Sequence, residues 1–134
     1  VPFQKACEAG ISAIMIGHLF NINVDKNFPA TMSKVHIENL KSLGCDTQAL
    51  ITDDIDMKAL TSQYSRRDIL VNAINAGIDI IIASNNISTY KPNQYFDDRK
   101  IIFEAVEKGE ISLERINESY EKVIGLKNKY KIIK

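Results

Sequence analysis

Apolar and polar positions fall in blocks along this chain, and the blocks come in two kinds. Short, nearly continuous apolar runs occur from Ser12 to Gly17, from Ala49 to Thr52 and from Ile78 to Ala83. Such runs predict strands covered on both faces, as in a parallel sheet. Between them, apolar residues recur at helical spacing. Val35, Ile37, Leu40 and Leu43 follow Ser33, a ready N-cap, and stop at Gly44. Ile69, Leu70, Ala73 and Ile74 follow Ser65, which Asp68 completes as a short capping box, and stop at Gly77. A cap before and a Gly after each run predict where these helices begin and end. Ile101, Ile102, Ala105 and Val106 predict a further helix closed by Gly109. Ser112 then caps a last one, with Leu113, Ile116, Tyr120, Val123 and Ile124 on one face. Lys122, Lys127, Lys129 and Lys131 crowd its C-terminal end, where the helix dipole favours cations. The first residues, Val1 to Gly10, read as a helix with Pro2 in its first turn and Gly past its end. The stretches from Asn21 to Thr31 and from Ser84 to Asn93 are polar and read as loops.

A weak internal repeat gives these elements an order. Glu8-Ala9-Gly10-Ile11-Ser12-Ala13-Ile14-Met15-Ile16 echoes Asn75-Ala76-Gly77-Ile78-Asp79-Ile80-Ile81-Ile82-Ala83. In both, a helix ends in Ala-Gly and drops at once into an apolar strand, the helix-to-strand junction of a parallel α/β fold. Three parallel strands alternating with helices are therefore expected, helices covering at least one face. The repeat does not distinguish an open sheet from a barrel.

The second strand run ends in Thr52-Asp53-Asp54-Ile55-Asp56-Met57, three acids within four positions. In α/β folds the C-terminal ends of strands are where ligands bind. Clustered carboxylates there push their pKa values apart, as acid–base or nucleophilic chemistry requires. The same run also fits a helix N-cap with solvated neighbours, since Asp is a preferred cap. Both readings stay open on spacing alone.

Composition excludes more than it selects. The chain has 134 residues, 45% hydrophobic and 25% charged, with zero formal net charge. That is enough for one domain with a core, and the neutral balance gives no case for nucleic acid or an anionic membrane. No run reaches the roughly 18 apolar residues of a membrane span. Cys7 and Cys45 stand apart without metal-ligand spacing or a disulfide framework. They read as small buried hydrophobes in a reducing cytoplasm, and no metal or other cofactor is expected. The chain begins without Met and as if in mid-fold, so an upstream portion is expected.

Taken in order, several segments resemble glycoside hydrolase family 3. They are Ile14-Met15-Ile16-Gly17-His18, Asp25, Pro29-Ala30-Thr31-Met32-Ser33, Leu43-Gly44-Cys45-Asp46, Ile51 to Met57, and Ala76-Gly77-Ile78-Asp79-Ile80-Ile81. The stretch from Glu107 to Ser119 is similar to the pattern that closes the family's catalytic domain. The nearest branch is the cytoplasmic β-N-acetylhexosaminidases that recycle peptidoglycan sugars. The resemblance implies a (β/α)₈ barrel and a retaining mechanism with a covalent glycosyl intermediate. It carries the nucleophile onto Asp53, the first Asp after Thr52. Asp54 would then order the loop behind it, and Met57 would line the sugar subsite, or else anchor the loop in the core. His18, at the end of the first strand, would bind substrate beside Met57 or orient the site's residues, or else be a hydrogen-bonded structural residue. The family's acid/base His lies on an upstream Lys-His-Phe-Pro-Gly-type loop, so His18 does not take that role. His36 reads as a solvated helix residue.

The departures are equally informative. A full barrel needs about 250 residues and eight strands, against three strand runs here. The upstream half, with the acid/base loop and most sugar-binding residues, is expected to be missing. Thr47-Gln48 stands where the family has a single Gly, and one added residue can turn Asp53 away from the site. The chain thus reads as a single partial domain over residues 1–134, the C-terminal half of a glycosidase barrel. It would be inactive alone and would act on a carbohydrate only with a partner N-terminal half-barrel. Unpaired sheet edges also favour homo-oligomers. Two other readings compete: a non-catalytic self-associating remnant, and an acidic-pocket Mg²⁺ or phosphoacceptor module at Asp53 and Asp54. The last lacks the second acid and the Lys it needs, because the third strand ends in Ala83-Ser84-Asn85-Asn86.

Overall fold

The computed structural model describes residues 2–87 and 89–132. Helix α1 (Pro2–Glu8) leads into β1 (Ala13–Ile16), a long loop with one 3₁₀ turn (Ala30–Met32), and α2 (Lys34–Lys41). β2 (Ala49–Asp54), the short α3 (Lys58–Thr61), α4 (Arg66–Ala76) and β3 (Ile80–Ile82) follow, then α5 (Gln94–Glu107) and α6 (Leu113–Lys129). The three strands form one parallel sheet in the order β1-β2-β3. Parallel strands need crossovers, and α2 and α4 supply them. The caps are where the residue types place them. The Ser33 hydroxyl accepts from the His36 amide, and Ser65 and Asp68 form a complete capping box.

One face of the sheet carries the core. Ile14 and Leu50, paired across β1 and β2, pack with Ile37 of α2, Ala73 and Ala76 of α4, and Ile78. Ile81 of β3 touches this cluster and two others, formed around Ile55, Leu60 and Leu70 and around Ile74, Ala105 and Ile111. The register puts Met15 beside Ile51 and Ile51 beside Ile80. Strand alternation sends this row to the opposite face, where Met15 remains 61% exposed and Ile82 41%.

Several elements depart from the pattern. β2 runs on through Asp54, so Asp53 lies within the strand rather than after it. β3 is only three residues long and starts beyond Asp79, whose amide still donates to the Leu50 carbonyl at 2.8 Å and whose carboxylate accepts from the Leu50 amide and Arg115. The four-residue α3 is an addition, too short to show a period. The apolar stripe of α6 is not buried as a core face: none of its residues is fully buried, and Leu113 and Tyr120 are exposed. Instead α6 runs under the N-terminal ends of all three strands. Arg115 and Ser119 bond Asp79 before β3, Lys122 bonds the Gln48 carbonyl before β2, and Lys129 bonds the Ser12 hydroxyl before β1.

The cysteines need the plainest correction. Cys7 on α1 and Cys45 before β2 are disulfide-bonded, with Cα atoms 5.4 Å apart. They lie 38 residues apart in sequence, and only the fold brings α1 beside the turn after α2. Paired cysteines remove the argument from unpaired thiols to a reducing compartment. Among the described residues, no helix is long and apolar enough to cross a membrane.

Candidate active site

The C-terminal ends of β1, β2 and β3 bring together His18, the segment from Asp53 to Met57, and Ser84 with Asn85. Asp53 is the penultimate residue of β2, at the C-terminal rim of the sheet. Its Oδ1 accepts from the Asp54 amide at 2.7 Å. The neighbouring Thr52 is fully buried, and its hydroxyl oxygen accepts from the Ile82 amide at 2.9 Å. The register of β2 on β1 is regular from Ala49 to Thr52, whereas the pairing with β3 slips by one residue between Ile51 and Asp54, a bulge that includes Asp53.

Asp54 and Asp56 face the loop after β3. Asp54 Oδ1 accepts from the amides of Asp56 at 3.0 Å and Ser84 at 3.1 Å. Burial raises the Asp54 carboxyl, but the Ser84 side chain, the amides of Asp56 and Ser84, and Arg66 outweigh it and hold it below the usual carboxylate value. Asp56 Oδ2 accepts from the Asn85 amide at 2.6 Å, and Oδ1 accepts from Arg66 Nη1 at 2.6 Å. Arg66 turns its other edge to Asp98 on α5: Nε donates to Oδ1 at 2.8 Å and Nη2 bonds Oδ2. Burial works against the Arg66 charge, yet these two carboxylates more than restore it.

His18 spans β1 and β2. Its Nδ1 is 2.8 Å from the Thr31 hydroxyl and its Nε2 2.9 Å from the Asp54 carbonyl. A carbonyl only accepts, so Nε2 carries a proton. Both ring nitrogens are thereby used by the protein, and His18 pins the end of β2. Met57 is 36% exposed at the N-cap position of α3, with its amide donated to the Asp54 carbonyl at 3.1 Å. The segment from Pro29 to Ser33 has a matching structural job. Thr31 holds His18, Met32 enters the core, and the Ser33 hydroxyl donates to Asp25 Oδ2 at 2.6 Å. That bond leads the interactions that hold Asp25 below its usual value. His36 is half-buried rather than solvated, its Nδ1 3.1 Å from the same Ser33 hydroxyl.

Asp56, Arg66 and Asp98 were not singled out by the sequence reading. Asp56 was visible as the third acid of the run, but Arg66 and Asp98 lie 10 and 42 residues further along, and only packing of α4 on α5 joins them.

A parallel α/β sheet with carboxylates at its C-terminal rim is the layout of a barrel-type glycosidase. Residues 1–126 match the family described as the glycosyl hydrolase family 3 N terminal domain. The chain belongs to glycosyl hydrolase family 3. A β-hexosaminidase of Hydrogenovibrio crunogenus is 33% identical over 86 residues, covering 63% of this chain and 24% of that protein. A family 3 β-N-acetylglucosaminidase from a Paenibacillus species is 30% identical, with a TM-score of 0.82 over 95% of this chain and 24% of that one. A β-N-acetylglucosaminidase from Thermotoga maritima, 22% identical with a TM-score of 0.79, shares the fold over 92% of this chain and 27% of that one. The chain thus spans about a quarter of the length of these relatives.

Proposed function

We propose that this chain is the nucleophile-bearing part of a retaining β-N-acetylhexosaminidase, with Asp53 as nucleophile. The observation that carries the reading is the position of Asp53, at the C-terminal end of the central strand and beside a bulge in its pairing with β3. In a closed barrel that end is the mouth. The Asp53 carboxylate would attack the anomeric carbon of a terminal N-acetylglucosaminide while an acid protonates the departing glycosidic oxygen. Water then hydrolyses the glycosyl ester and returns the carboxylate. Met57 would lend an apolar wall to the sugar subsite, and His18, through the Asp54 carbonyl, would keep the strand end in place. The two relatives of at least 30% identity, named for hexosaminidase and N-acetylglucosaminidase activity, support this substrate class. The resemblance carries the finer reading of peptidoglycan fragments handled in the cytoplasm.

The acid/base group would come from a complementing N-terminal half-barrel, residues 1–134 being one partial domain. Retaining chemistry needs that group roughly 5 Å from the nucleophile, and its loss costs about 10²–10⁴-fold. The chain alone is therefore expected to be inactive. The uncovered row of Met15 and Ile82 favours a second reading, a self-associating chain without catalysis. The acidic-pocket reading has the least support, because Asp54 and Asp56 are turned to loop amides and Arg66.

The test is to co-express the chain with the remaining part of the barrel from the Paenibacillus relative and assay a chromogenic β-N-acetylglucosaminide. Turnover should appear with both parts and vanish in Asp53→Asn, while Asp54→Asn weakens it less. Turnover by the chain alone would overturn the need for a partner, and an active Asp53→Asn would overturn the nucleophile.

A further inference from the structure

We propose that Arg66 is the positioning residue of this site, clamping Asp56 to Asp98 and so fixing the segment that carries Asp53. The role rests on the reading of Asp53 as nucleophile, but its geometry stands by itself. Beyond Asp54, which still pairs with Ile82 of β3, the chain leaves the sheet, and the shape of the segment to Met57 depends on a few bonds. On one side, His18 takes the Asp54 carbonyl. On the other, Asp54 and Asp56 collect the amides of Ser84 and Asn85 from the loop after β3. Asn85 itself holds φ of 53°, the left-handed conformation that asparagine accepts more readily than other non-glycine residues. Asp56 is 17% exposed, and without a cation it would carry an unpaired charge close to these amides.

Arg66 supplies that cation from the first position of α4. Its planar fork bonds Asp98 through two nitrogens and Asp56 through the third. Asp98 is braced in turn by Gln94 Nε2 at 2.8 Å. One side chain thus ties the β2 loop to α4 and α5 at once. A lysine is a point charge without the fork and can satisfy only one carboxylate well. Arg67, next on the helix, makes the informative contrast. It pairs with Glu110 at 2.8 Å and Glu104 at 3.7 Å, outside the site.

The test uses the isotope-labelled 134-residue chain and needs no activity. Amide exchange and carboxyl ¹³C titrations are recorded for the wild type, Arg66→Lys, Arg66→Gln and Arg67→Gln. In Arg66→Gln, the amides of Asp54, Asp56, Ser84 and Asn85 should lose protection by about tenfold or more, while those of β1 and α2 keep theirs. The Asp54 titration should move up toward the ordinary carboxylate value. Arg66→Lys should fall between, and Arg67→Gln should match the wild type at these amides. Unchanged protection at the four amides in Arg66→Gln would overturn the proposal. So would a loss spread evenly over the whole fold, which marks a merely structural pair. Neither result bears on whether Asp53 is the nucleophile, which the complementation assay decides separately.

Discussion

Asp79 has no exposed side-chain surface, yet it keeps its charge. Burial raises its carboxyl, but Arg115 Nη2 at 2.7 Å, the Leu50 amide, the Ser119 hydroxyl and Lys122 outweigh that and hold it below its ordinary value of 3.8. A carboxylate with a folded value below its unfolded one stabilises the fold above the unfolded value. That contribution fades as pH falls through the lowered folded value. Denaturant unfolding measured against pH should therefore show stability declining below pH 3.8. Asp79→Asn leaves Arg115 and Lys122 facing a neutral group, and should cost about 3–5 kcal/mol at neutral pH, as broken buried pairs do. It should also flatten the acid limb. A variant as stable as the wild type at pH 7 would contradict this account.

At the scale of elements, the turn from α4 into β3 depends on Gly77. Its φ is +117°, and a Cβ there would stand 3.1 Å from Ile37 Cγ2 on α2. Gly77→Ala should destabilise the chain by about 1–3 kcal/mol through backbone strain, and calorimetry would show a lowered Tm. Gly44, also at positive φ but with open space around it, meets strain without the contact. These turns were legible in the sequence because Gly after an apolar helix has few other uses. The strands were legible for a similar reason, since Ala49 to Thr52 and Ile80 to Ile82 carry no polar break. What escaped depends on contacts distant in sequence. Asp79 read as part of a strand, while its partners lie 36 to 43 residues later on α6. The Cys7–Cys45 pair needed α1 beside the turn after α2. The α6 stripe had the right period for a core face, but period says nothing of what the face meets. At the site, the acids and His18 could be named from position, whereas the bonds that fix them, Thr31 to His18 and Arg66 to Asp56, join separate elements.

For the whole molecule, the sheet is one-sided. Helices cover the face of Ile14 and Leu50, and α6 lies under the strand ends, leaving Met15 and Ile82 exposed on the other face. Beside the outer edge of β3, a cavity of about 1010 Å³ opens between α5 and α6, lined by Ile81, Phe103, Leu113 and Tyr120 among others. Parallel sheets are normally covered on both faces. The chain is expected to self-associate, with a light-scattering mass that rises with concentration. Because the contact is apolar, added salt should not reverse it. Met15→Lys should shift the mass toward the monomer. A monomer at every concentration would remove the self-associating reading.

The placement of α6 bears finally on how the chain is made. Translation delivers these three strands before the helix that ties their lower ends. Until Arg115 and Lys122 leave the ribosome, the nascent sheet holds Asp79 with neither of its cations. A message cut short just before Arg115 would encode the three described strands and the segment from Asp53 to Met57, and still release a product with an uncompensated charge beneath its sheet. Quality control in the cell would meet that product as a misfolded chain, although Asp53 and the residues that bond its neighbours are all present in it.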